Sequence, residues 1–132
     1  MKPLATCEER MSSKNFPREG DIWIVKFEKL KEFSKPFRPC VVVSNDFQNE
    51  FDDKIVVAPT TADEMEKIRT FEVFIKNTKT TGLEKPSKVL CNYPHTIYKK
   101  LRLVGEKRIG IASPEVMEKV KKALKLVLNL GE

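Results

Sequence analysis

The chemistry-bearing side chains of this sequence gather at the ends of apolar runs. Arg38 stands ahead of Pro39-Cys40-Val41-Val42-Val43, Thr60 and Thr61 follow Ile55-Val56-Val57-Ala58-Pro59, and Asn92, Tyr93 and His95 stand at the end of a run over residues 87–93. Strand ends put side chains where a rigid sheet meets solvent, a favourable place for a site. A guanidinium there suits a surface salt bridge or a forked contact to phosphate, and the residue types alone leave these two even. The threonine hydroxyls suit ordinary strand termination or donation to an anion. His95 is the single histidine of the chain. A two-histidine acid–base pair is therefore excluded, although one imidazole titrates close to neutrality and can serve alone.

Other chemistries have no foothold. The sequence carries no P-loop, no G-x-S-x-G and no H-E-x-x-H. Its three cysteines, Cys7, Cys40 and Cys91, are odd in number and lack C-x-x-C spacing. They argue against a disulfide framework and a zinc site, and Cys40 and Cys91 sit in apolar runs as small hydrophobes. No metal ligands and no cofactor are expected. The net charge of +6 suits a polyanionic partner through counterion release, and equally serves solubility. Phe33 and Phe37 lie among Lys29, Lys31 and Lys35. Aromatics among cations can stack on unpaired bases or fold back onto the domain. No stretch approaches the ~20 apolar residues of a membrane span. The first residues lack the apolar core of a signal peptide, so a cytoplasmic protein is expected.

The elements that must position these residues are short. Residues 21–27 (DIWIVKF) form a strand with Trp23, Val25 and Phe27 on one face. Pro39 opens a second strand over 40–43, continuous enough to be buried on both faces, and Ser44-Asn45-Asp46 turns the chain. Strands follow over 55–58, 70–75 and 87–93, then a possible helical turn over 95–100 and an interrupted strand over 102–111. The end is helical. Ser113 is an N-cap, Pro114 takes the first helical position, and Val116, Val120, Ala123, Val127 and Leu130 share a face, with Gly131 available as a C-cap. Strands so short and close exclude βαβ crossovers. The fold class is mainly β with a C-terminal α-helix: a small, strongly bent antiparallel sheet or open barrel packed against that helix. Residues 1–18 read as an N-terminal extension and residues 19–132 as a single domain.

Four ordered blocks make a family resemblance. Gly20-Asp21-Ile22-Trp23-Ile24, Arg38-Pro39 through Asp46, Ile55 through Thr61, and Cys91-Asn92-Tyr93-Pro94-His95-Thr96-Ile97 resemble the MazF/PemK toxins over about residues 19–130. The resemblance implies a CcdB-like or SH3-like barrel, a homodimer, metal-independent cleavage of single-stranded RNA, and an acidic antitoxin protein as partner. It makes Arg38 the charge that meets the phosphate and Thr60 the strand-end hydroxyl of the catalytic set, with Glu32 and His95 as candidate acid–base groups. Lys31, Phe33, Lys35, Phe37, Thr61, Asn92 and Tyr93 become candidate RNA contacts. It departs at the fifth strand, where some relatives carry an arginine and an aspartate and this chain has Leu90 and Asn92. Two other functions share the fold: a toxin that binds a DNA topoisomerase, and an RNA-binding member that does not cut.

Overall fold

Alternating burial along three central strands builds this protein. A computed structural model describes residues 15–27 and 36–131. The candidates Lys31, Glu32, Phe33 and Lys35 lie outside the described residues. Strands β1 (Asp21–Lys26), β2 (Phe37–Val42) and β3 (Lys54–Thr61) are antiparallel neighbours, with Ile22 opposite Val41 and Val41 opposite Ala58. Ile22, Val41 and Ala58 point into one apolar cluster, while Trp23, Val25, Cys40, Val42, Ile55 and Val57 point into another. Successive strand residues face opposite ways, so β1, β2 and β3 are covered on both faces, as their β-branched runs require.

The remaining elements supply those covers. β4 (Glu72–Ile75) and β5 (Ser87–Leu90) pair with each other, and β5 joins the Thr60–Thr61 end of β3. β6 (His95–Tyr98) joins the other end of the same β3 edge, across from residues 54–57. Two strands therefore share one edge of β3. Likewise β7 (Leu103–Val104) and β8 (Gly110–Ile111) share one edge of β1. This branching accommodates the bend expected of the sheet. Among the described residues the sheet has eight strands.

Three helices complete the described chain: α1 (Asp46–Phe51), α2 (Lys99–Arg102) and α3 (Pro114–Val127). α3 lays Met117, Val120 and Ala123 on the first cluster. β6 and β7 bring Ile97 and Leu103 to the second. None of these helices is long and apolar enough to cross a membrane.

Four expectations change. The turn at residues 44–46 is the start of α1, with the Asn45 side chain accepting from the Gln48 N–H at 2.9 Å. The expected helical turn over 95–100 is strand β6 followed by α2, because residues 95–98 find a distant partner in β3. The interrupted strand over 102–111 is two separate two-residue strands, β7 and β8. The C-cap of α3 is not Gly131. Asn129 takes the left-handed conformation (φ 54°), and the Leu130 N–H reaches back to the Lys125 carbonyl at 2.8 Å, as in a Schellman motif.

Candidate active site

Arg38 is not ahead of its strand but inside it. β2 begins at Phe37, and Arg38 sits opposite Val25. Cys40 and Val42 belong to the second cluster, so alternation puts Arg38 on that face of the sheet. The residue is half-buried, and its Nη1 donates to the Thr60 carbonyl at 3.0 Å.

That contact follows from Pro39. The Phe27 N–H donates to Pro36 O, and the Val43 N–H donates to Val56 O. Antiparallel strands alternate hydrogen-bonded and non-bonded pairs. Counting from these two bonds, the backbone N and O of residues 38, 40 and 42 face β1, and those of 39, 41 and 43 face β3. The β2–β3 register, with Cys40 opposite Pro59, then puts Pro39 opposite Thr60 when extended by one residue. A proline has no N–H to give. The Thr60 carbonyl receives the Arg38 guanidinium instead, and the Thr60 hydroxyl donates to the Pro39 carbonyl at 2.9 Å.

Thr60 is thus placed differently from its reading as a strand-end hydroxyl. β3 continues through it to Thr61, and Thr60 is only 2% exposed. Ala58 belongs to the first cluster, so alternation puts Thr60 on the face opposite Arg38. Extending the register by one more residue puts Thr61 across from Arg38, on the same face. Thr61 is half-buried, and its hydroxyl oxygen accepts from the Asp63 N–H at 3.1 Å.

His95 is paired with Val57 in β6 and is half-buried. Ile97 of that strand lies in the second cluster, so His95 shares the face of Arg38. Its ring stands edge-on to Phe27, centroids 5.2 Å apart. Nδ1 lies 2.7 Å from the Tyr93 carbonyl. A carbonyl only accepts, so Nδ1 carries a proton, and the neutral ring keeps its lone pair on Nε2. Val57 and Thr60 are three residues apart on β3, roughly 10 Å at strand rise. The fold thus brings Arg38, Thr60 and Thr61 together and sets His95 in β6, beside β3 at Val57.

The other candidates vary. Phe37 is half exposed, with the Lys26 ammonium 5.9 Å from its ring centroid. Tyr93 is exposed, and the Asn92 Oδ1 is buried with no hydrogen-bond partner among the described residues. Leu90 is buried. Cys40, next to Pro39, is no nucleophile: burial pushes its thiol far above the ordinary range, which the nearby Arg38 only partly offsets. Lys26 and the Pro39–Thr60 contact escaped the sequence reading. A basic residue opposite an aromatic was the only signal for the first, and a carbonyl partner leaves no residue-type signal for the second.

The sequence matches the family described as PemK-like, MazF-like toxin of type II toxin–antitoxin system over residues 18–128. The chain belongs to that family. The match includes every element from β1 to α3. Among solved structures, this PemK/MazF-family chain is similar to an endoribonuclease in complex with its cognate antitoxin from a mycobacterial species (TM-score 0.70, 20% identity, covering 88% of this chain and 98% of that one). It is also similar to the Mycobacterium tuberculosis toxin MazF-mt6 (TM-score 0.68, 21% identity, 85% and 99% covered). MazF from Deinococcus radiodurans gives a TM-score of 0.69 at 19% identity, with 86% and 97% covered. At these identities the likeness is one of fold. Comparison with curated proteins finds no match.

Proposed function

We propose that this PemK/MazF-family chain cuts single-stranded RNA by attack of a 2′-hydroxyl on the adjacent phosphorus, with no metal required. The carrying observation is the half-buried Arg38 guanidinium fixed on the Thr60 carbonyl. Attack builds negative charge on a five-coordinate phosphorus, and a preorganised guanidinium stabilises that charge without reorganising. One of its five N–H donors held on a carbonyl fixes the plane of the whole fork.

The proton from the 2′-hydroxyl needs an acceptor, and the departing 5′-oxygen needs a donor. His95 is the described candidate, through Nε2. Glu32 stays a candidate from the sequence. The Thr61 hydroxyl, across from Arg38, and the Phe37 ring beside Lys26 are the proposed contacts to the RNA, with Asn92 and Tyr93 in the β5–β6 turn. Lys31, Phe33 and Lys35 would extend that surface. Thr60, whose hydroxyl is held by Pro39, acts in this reading by holding Arg38. An acidic antitoxin and a second copy of this chain are the proposed partners. The antitoxin-bound mycobacterial and Deinococcus radiodurans relatives support the first.

A second reading has one observation in its favour. Buried Leu90 has no acid–base capacity, which suits a member that binds RNA without cutting. One assay separates the two. Purified protein is incubated with long single-stranded RNA in EDTA beside Arg38→Ala. Cleavage by the wild type, slower in the variant by about 10²–10³-fold, is expected. RNA left intact by the wild type refutes cutting, and equal cleavage by both proteins removes Arg38 from the chemistry.

A further inference from the structure

We infer that Pro39 is a positioning residue whose missing N–H opens the place on β3 where the Arg38 guanidinium docks. The inference rests on the proposed role of Arg38 for its consequence in catalysis, but not for its geometry. Its basis is the alternation of ladder bonds already described. Position 39 is where β2 should donate to the Thr60 carbonyl. With any other residue there, a backbone N–H would serve that carbonyl as the next bond of the ladder. The proline withholds the donor. Arg38 Nη1 takes the carbonyl at 3.0 Å, and the Thr60 hydroxyl takes the Pro39 carbonyl at 2.9 Å. One side-chain bond, from Arg38 Nη1 to the Thr60 carbonyl, stands where the ladder bond from residue 39 would have been.

The position is unusual for proline. β2 has β1 on one edge and β3 on the other, and within a sheet proline is normally confined to edges, strand starts and bulges. Pro39 is the third residue of β2, at the point where pairing to β3 stops and pairing to β1 continues. It therefore ends the pairing of β2 with β3 while that with β1 continues, and the guanidinium takes the carbonyl left open. The arginine is tethered by a backbone group that no side-chain substitution can remove. This explains why an arginine and a proline must be adjacent here: strand geometry puts the side chain of residue 38 beside the backbone position that residue 39 leaves vacant.

Pro39→Ala tests the idea in the full-length protein, because alanine restores the N–H and little else. Two measurements are read together. Hydrogen exchange reports whether the restored amide at position 39 is protected. Side-chain guanidinium resonances of Arg38, assigned by their loss in Arg38→Ala, report whether it stays docked. The expected result is a protected amide and Arg38 resonances shifted from their wild-type positions. Metal-free RNA cleavage should fall about 10–100-fold, carried by kcat rather than KM, since a guanidinium displaced by ~1 Å loses about that much. Should Pro39→Ala fold poorly, Pro39→Val restores the same N–H with better strand propensity. An exposed amide, or unchanged Arg38 resonances, overturns the inference whatever the cleavage rate. A released Arg38 with unchanged cleavage overturns the positioning role. An inactive wild type refutes the proposed function, and the resonance measurement still decides whether Pro39 makes the docking place.

Discussion

Lys88 illustrates what a buried charge demands. It is 3% exposed, and an ammonium has three donors to satisfy. All three find acceptors: the Glu72 carboxylate at 3.1 Å, the Glu64 carbonyl at 3.0 Å and the Lys67 carbonyl at 3.1 Å. The lysine thereby pins the 64–67 segment against β4 and β5. Lys88→Met leaves Glu72 buried without its cation and the two carbonyls without a donor, so a loss of about 3–5 kcal/mol is expected in chemical denaturation. Adding Glu72→Leu should recover much of it, because the charge left behind, more than the lost attraction, makes the single variant unstable. The pair also has a pH signature. Burial raises the Glu72 carboxyl, but the Arg69 N–H and the hydrogen bond and charge of Lys88 outweigh it and hold it below its ordinary 4.5. A carboxyl depressed in the folded state contributes stability that is whole above the unfolded value and is lost as pH falls through the folded one. Thermal midpoints should therefore fall more steeply for wild type than for Glu72→Gln below about pH 4.5.

At the scale of elements, local signals were legible and distant partners were not. α3 carries its whole specification in nearby residues. Ser113 Oγ accepts from the Val116 N–H at 3.1 Å, Pro114 fills the first position, and Met117, Val120 and Ala123 reach the core. Ser113→Ala removes one cap bond from an exposed position and should lower stability by about 1 kcal/mol, read by urea unfolding. β1 and β2 were legible for a similar reason: their apolar residues recur with period two or run continuously, and both patterns survive into the two clusters. β6 was not, since residues 95–98 have no strong pattern and become a strand only because β3 offers an edge. α1 was missed because Asn45-Asp46 serves a turn and a helix cap equally well. The candidate site divides the same way. Arg38 stood out by its neighbours in sequence, whereas the burial of Thr60 and its bond to Pro39 depend on a strand about twenty residues away.

On the whole molecule, the positive charge is spread over surfaces that cannot all serve one ligand. Lys119 and Lys122 line a groove of about 440 Å³ between α3 and β4, with Thr70, Phe74 and Leu126. β4 is an end strand of the sheet order, separated from β2 by β5 and β3. Arg38 lies in β2, beside Phe37, and Phe37 is opposite Lys26 in β1. Phe37 and Lys26 take the opposite face by alternation, at the same end of β1 and β2, so an RNA strand whose phosphate meets Arg38 reaches them by passing that end of the sheet, while the α3 lysines stand three strands away. Each phosphate contact on a single strand contributes about −0.7 to the slope of log K against log salt concentration. Lys26→Ala should therefore weaken binding to a short single-stranded RNA and flatten that slope by about 0.7. The double variant Lys119→Ala with Lys122→Ala removes twice the charge and should leave the slope unchanged. Titration by fluorescence anisotropy at several salt concentrations reads both. A slope altered by the α3 pair and indifferent to Lys26 would move the RNA path off the Arg38 end of the sheet and onto the groove beside β4.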